Sequence, residues 1–244
     1  MVKTESAELG MNKTGIGTAP ILSKEMIESS RTGPVSAGDS ITPAELRAEY
    51  IREGQVIGSV PPPTSMKGMA KSALQALKGE KATVLVDKLA ERLAFERTGT
   101  RLYETLIQKV QAINTAERSA TVQELERICR EELNHFHLLW DCIERLGADP
   151  TVETPSADVS ALASQGIPKV LADPRTTFGQ CLEAILIAEL VDNDAWERLI
   201  ALAQGFNQSD MVDQFRVALN QEADHLAFVR RCLTEEINRE AGTS

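Results

Sequence analysis

From about Val84 onward the chain repeats apolar residues at three- and four-residue intervals in four long stretches. That spacing marks one buried face of an α-helix. The first stretch runs from about Val84 to Ile113, with Leu85, Leu89, Leu93, Tyr103, Leu106 and Val110 in register. The second runs from about Thr121 to Leu146 and stops at Gly147, a residue suited to a left-handed helix end. The third covers about Thr176 to Ala203, before Gly205, and the fourth about Asp210 to Glu240. Short links join the first to the second and the third to the fourth, whereas about thirty residues, 147–175, separate the two pairs. Short links make antiparallel hairpins, and a long link lets the chain return along the helices before the second hairpin starts. A helix of about 26 residues is about 39 Å long, which thirty residues with a helical piece around Ala157 to Ala163 can cross. The pattern predicts an all-α fold, a four-helix bundle of two hairpins joined by a crossover, over 84–240.

Residues 1–65 follow a different pattern, rich in Gly, Ser, Thr and Pro and ending in Pro61, Pro62 and Pro63. One short helix is expected there, with Thr42 as N-cap, Pro43 in the first turn, Ala44 to Glu53 following and Gly54 as the stop. The rest reads as an extended arm. Residues 66–83 hold a second short helix, Met66 to Lys78, and a linker. Its apolar side (Met66, Met69, Ala70, Leu74 and Leu77) fits docking on the bundle better than contact with a membrane.

The apolar seams of the four long helices are interrupted at similar heights by polar residues. The second helix reads Leu125, Ile128, Glu132, His135, Leu139, Cys142, and the fourth reads Phe215, Ala218, Glu222, His225, Val229, Cys232. The first carries Glu96 between Leu93 and Tyr103, and the third carries Glu189 and Asp192 between Ile185 and Trp196. Burying an unpaired carboxylate costs several kcal/mol even after relaxation (roughly), so four in one core require positive charge. Lys and Arg are missing from these seam positions, and two divalent cations would balance Glu96, Glu132, Glu189 and Glu222. Glu-x-x-His places both ligands on one helix face. Two of the chain's three histidines, His135 and His225, have a glutamate at that offset. Asp192 reads as a further ligand, as an acceptor for a histidine N–H, or as a solvated residue at the edge of the seam. Glu131 and Gln221, which precede the two motif glutamates, suit the same supporting role or plain exposure. Tyr103 reads as a core residue, with an electron relay or a hydrogen bond to the site as the alternative, His137 as structural or exposed, and Glu183 as off the seam.

This arrangement resembles the ferritin-like superfamily, particularly rubrerythrin-like and other bacterial di-iron carboxylate proteins. The family pattern of a single Glu on helices one and three and Glu-x-x-His on helices two and four falls on Glu96, Glu132 and His135, Glu189, and Glu222 and His225. The strings AFERTGTRLYE and EELNHFHLLW are similar to those of bacterial ferritin-like proteins. The resemblance implies two iron ions, although mixed oxygen and nitrogen ligands also suit manganese or zinc. It further implies an oxidoreductase reacting with peroxide or O₂. A ferroxidase or iron-handling protein, and a non-enzymatic metal-stabilised interaction protein, are the alternatives. Rubrerythrins carry a Cys₄ iron domain, and this chain has no C-x-x-C pair among Cys129, Cys142, Cys181 and Cys232. A peroxidase of this kind would need a separate electron-donor protein.

Composition narrows the picture further. A net charge of −10 argues against nucleic-acid binding, and aromatic content of 4% with common Ala, Leu, Glu and Arg favours helices. The absence of an apolar signal segment, of a long apolar run and of cysteine spacings that suggest disulfides points to the cytoplasm. Apolar faces beyond the seam lead us to expect a homodimer, with the arm or the Met66 to Lys78 helix lying against a bundle.

Overall fold

The computed structural model describes residues 17, 19–33, 42–63, 66, 68–70, 82–113 and 119–243. Every regular element among the described residues is a helix: α1 (Pro20–Thr32), α2 (Pro43–Glu53), α3 (Ala82–Ile113), α4 (Ser119–Leu146), α5 (Pro155–Ser164), α6 (Gly166–Ala172), α7 (Phe178–Gly205) and α8 (Ser209–Ala241). None of them is long and apolar enough to cross a membrane. All four cysteines carry free thiols.

The helix ends follow local chemistry. Thr42 and Glu45 form a reciprocal capping box at the start of α2, and Gly54 ends that helix. Thr177 and Gln180 do the same for α7. Gly147 adopts φ +83, and the amides of Gly147 and Ala148 bond back to Glu144 and Ile143, closing α4. One helix, α1, falls where the sequence predicts an extended arm. It starts on Pro20 and has no side-chain cap, and no residue of α1 or α2 is buried. These two helices form one compact unit, and the chain from Gly58 onward forms another. The expected helix from Met66 to Lys78 lies mostly outside the described residues, of which Met66 and 68–70 are helical.

In the larger unit α3 packs along α4, and α7 along α8. Contacts give the directions. Along α3 the order Glu96, Thr100 meets His135, Cys129 on α4, and along α7 the order Asn193, Trp196 meets Glu222, Phe215 on α8. Both pairs are antiparallel. The two pairs join through α3 against α7 and α4 against α8. The crossover is pinned at both ends by α3. Asp87 accepts from the backbone N–H (3.0 Å) and hydroxyl (2.6 Å) of Ser156, fixing the start of α5. Lys109 donates to the carbonyls of Asp173 (2.8 Å) and Thr176 (3.0 Å), just before α7. The chain therefore climbs the length of α3 between the two pairs, as the long link requires.

The core has two apolar halves. One is built from residues such as Leu106, Leu125, Ile128, Leu182 and Val229, and the other from Leu85, Leu89, Leu139, Trp196 and Phe215. Burying such side chains contributes about 1.5–3 kcal/mol each, and it holds a polar layer between the halves.

Candidate metal centre

That layer contains Glu96, Glu132, His135, Glu189, Asp192, Glu222 and His225, all at most 2% exposed. Each arrives there because its helix presents it on the same face as flanking core residues. Glu132 and His135, three apart, follow Ile128 and precede Leu139 on α4. Glu222 and His225 lie between Ala218 and Val229 on α8. The ligating atoms fall into overlapping groups whose members lie within 4.8 Å of one another: Glu132, Glu189, Glu222 and His225; Glu96, His135 and Glu222; and Glu96, Glu132, Asp192 and Glu222. Glu222 belongs to all three groups and Glu96 and Glu132 to two each. Glu132 and Glu222 are the two that group both with Glu189 and His225 and with Glu96, so these two carboxylates sit between the others. The structure thus brings together all six residues singled out as ligands, with Asp192 beside them.

Both histidines are oriented from outside the layer. His225 Nε2 lies 2.8 Å from Glu131 of α4, and His135 Nε2 lies 2.9 Å from the Gln221 amide oxygen of α8. Each partner accepts an Nε2–H, which turns each Nδ1 toward the carboxylates, where it can offer a lone pair to a cation once any proton there is displaced. The arrangement is reciprocal: the residue before the glutamate on one helix holds the histidine of the other. Glu131 is itself bound by Arg127. Sequence placed Glu131 and Gln221 in a supporting role or in plain exposure, and their one-residue offset from both motifs was the available signal. Tyr103, read as a core residue, is fully buried and donates its hydroxyl to Glu189 Oε1. His137 and Glu183 are exposed, away from the layer.

One expectation needs correction. A cation does enter the core: Arg92, 3% exposed, pairs with Glu96 Oε1 and Asp192 Oδ1, each at 3.1 Å, and stacks over Phe95. It lies one turn before Glu96, the spacing of an ion pair along one helix face, and that offset could have revealed it. Five buried carboxylates against one guanidinium still leave four negative charges if all are ionised. Arg92 in effect compensates Asp192.

The layer's polar atoms are poorly satisfied. Glu96 Oε2, both oxygens of Glu132, Glu189 Oε2, Glu222 Oε1 and His135 Nδ1 lack a hydrogen-bond partner, and Glu96 Oε1 and Asp192 Oδ1 meet only the Arg92 guanidinium, as ion pairs. His135 Nδ1 is 2.7 Å from Glu222 Oε1, yet the two are not aligned for a hydrogen bond, so proximity there does not satisfy either atom. Leaving so many buried acceptors unmet is unfavourable, and one or more cations among them would meet that need. The chemistry of the set, carboxylate oxygens with neutral imidazoles, fits a divalent transition metal.

Protonation offsets part of this crowding of buried carboxylates. Burial, reinforced by Glu222, Glu96 and Glu189, pushes Glu132 well above the usual carboxylate range. Burial and the charge of Glu222 raise Glu189 to about 8. Burial likewise raises Asp192, against the pull of Arg92. Burial would raise Glu222 too, but contacts with His135 and His225 outweigh it and take that group down to about 2. Burial disfavours charge on the histidines, yet the same contacts win, raising His225 to about 9 and His135 to about 11. The layer therefore holds several protons that a cation must displace.

Gly99 on α3 lies against this layer, and a Cβ there would come within 2.3 Å of Glu132 Oε2. The glycine gives the Glu132 carboxylate its space. A cleft of about 480 Å³ between α3 and α7 is lined by Val84, Leu199, Leu202 and Arg92 but by none of the seven layer residues. In comparisons with known proteins, no family model, curated protein or solved structure matches this chain.

Proposed function

We propose that the larger unit is a ferritin-like four-helix bundle and that its polar layer holds two iron ions. On this reading the protein is an oxidoreductase that reduces peroxide or O₂. The observation that carries the proposal is the paired histidines. Each has its outer nitrogen fixed by a partner from the opposite helix and its inner nitrogen turned on shared carboxylates. Glu189 and His225 would hold one ion, Glu96 and His135 the other, and Glu132 and Glu222 would lie between them. A pair of irons supplies two electrons to an oxidant and recovers them from a donor.

The chain's own residues have separate tasks. Glu131 and Gln221 fix the tautomer and tilt of the imidazoles. Tyr103 orients Glu189 and stands as the nearest hydroxyl proton to that carboxylate. Gly99 leaves the space that the Glu132 carboxylate occupies. Leu93, Trp196, Phe215 and Leu182 on either side exclude bulk water. The electrons would come from a donor outside the bundle, for which a separate protein is proposed. The apolar residues left exposed on the long helices, among them Ile187, Leu190 and Val191 on α7, support a homodimer.

The test is metal analysis of purified protein, then anaerobic Fe(II) loading and mixing with H₂O₂ or O₂ in stopped flow. Two equivalents of iron per chain, oxidised faster by peroxide than by O₂, are expected. A chain that takes up no transition metal would overturn the proposal, and faster oxidation by O₂ with mineral formation would replace it by iron handling.

A further inference from the structure

The layer is nearly symmetric in its inner residues and asymmetric in what surrounds them. On one side stand Glu189 and His225, on the other Glu96 and His135. His225 donates its Nε2–H to a carboxylate, Glu131, whereas His135 donates to a neutral amide, Gln221. Glu189 receives a neutral phenol hydroxyl from Tyr103, whereas Glu96 is paired at 3.1 Å with the Arg92 guanidinium.

Both differences act in the same direction. An imidazole whose N–H leans on a carboxylate carries more electron density on its other nitrogen and is the stronger donor to a cation. A guanidinium beside Glu96 competes for the carboxylate and repels an incoming cation, and it does so with little screening in a buried layer. Asp192, on the other side of Arg92, offsets part of that repulsion but also stays engaged with it. Arg127 shares the Glu131 Oε2 with His225 and offsets part of that carboxylate's charge, but it is a third exposed and screened by solvent, whereas Arg92 is buried.

We infer that the two halves are unequal: the Glu189–His225 half takes a divalent cation first and holds it more tightly, and the Glu96–His135 half fills second. Glu131 against Gln221, positions one residue before each motif glutamate, sets much of the difference. They are positioning residues, since each acts on a cation through a histidine. This inference rests on the metal-binding reading above and adds an order of filling to it.

The experiment is anaerobic titration of the metal-free, full-length chain with Co(II), followed by calorimetry and by the visible absorption of bound Co(II). Two steps are expected, separated by tenfold or more in affinity. Glu131→Gln retains an acceptor for the His225 N–H but removes its charge. It should weaken the first step by about 10–100-fold, shift that step's absorption band and leave the second step in place. Gln221→Glu should tighten the second step and narrow the gap, so it decides the matter even if the first variant fails to fold. Two steps of equal affinity in the wild type, or a first step indifferent to Glu131→Gln and a second indifferent to Gln221→Glu, would overturn the inference while leaving a two-metal centre intact. No Co(II) binding at all would overturn both.

Discussion

Arg92 Nη1 lies 3.1 Å from Asp192 Oδ1 across the contact of α3 with α7, and both side chains are almost wholly buried. The pair assigns Asp192 a task distinct from that of its neighbour Glu189, one turn earlier on the same helix. Removing one partner of a buried ion pair leaves a bare charge and costs about 3–5 kcal/mol, whereas replacing both with apolar groups is often neutral. Arg92→Leu should therefore destabilise the protein by about 3–5 kcal/mol, and Arg92→Leu with Asp192→Leu by much less. Urea denaturation of the single and double variants measures the difference. If Asp192 serves Arg92, Asp192→Asn retains two bound metals per chain while Glu96→Gln loses one.

Gly99 gives an experiment in which fold and site respond separately. Alanine is favoured over glycine within a helix by about 0.5–1 kcal/mol, and the atom it would strike is the mobile end of Glu132. Gly99→Ala should change the melting temperature of the metal-free protein little. The displaced carboxylate should weaken metal binding tenfold or more. Unchanged affinity in the same titration would show that Glu132 does not need this space.

Protons held by the layer fix the pH dependence of the metal-free protein. Glu189 rises from 4.5 to about 8 on folding and His225 from 6.5 to about 9. A raised value means that the folded state binds the proton more tightly, so the contribution is full below the unfolded value and lost as pH climbs through the folded one. Stability should fall between about pH 5 and pH 9. Glu222, held down at about 2, contributes above its ordinary 4.5 and loses that contribution as pH drops toward 2. Thermal melts in chelator across this range should show a maximum near pH 5, and an optimum at pH 8 would contradict the protonation pattern.

Metal should reverse that loss, because a ligand bound only by the native state stabilises it by about 2.7 kcal/mol at a hundredfold excess over Kd. Glu132→Gln removes a group whose burial forces it to take up a proton on folding. At pH 7 the metal-free variant should melt higher than wild type and gain little from added Fe(II). His137→Ala, at an exposed position, should alter neither quantity. Anaerobic melts with and without Fe(II) check all three proteins. A wild-type melt indifferent to metal would count against the whole reading of the layer.

Much of this architecture follows from the spacing of residues along the chain. Leu85, Leu89 and Leu93, or Phe215, Ala218 and Val229, recur at a spacing that only a helix turns into one face. Glu and His within those runs are then carried into the core by the same periodicity, which is why Glu96, Glu132, His135, Glu189, Glu222 and His225 could be named together. The cap at Thr42 and the stop at Gly147 were legible because they depend on residues within one turn. Features that depend on the rotation of one helix against another emerge only when the helices pack. Arg92 lies next to the apolar run on α3, and whether such a residue points to water or into the core is set by the neighbour it meets, here Asp192 on α7. Glu131 and Gln221 look like surface residues until α4 and α8 pack antiparallel and bring each to the other's histidine. Gly99 has no distinguishing local signal, since the atom that requires its smallness belongs to another helix. Periodicity within one strand of sequence fixes which faces are buried, and contacts between helices fix which partners those faces find.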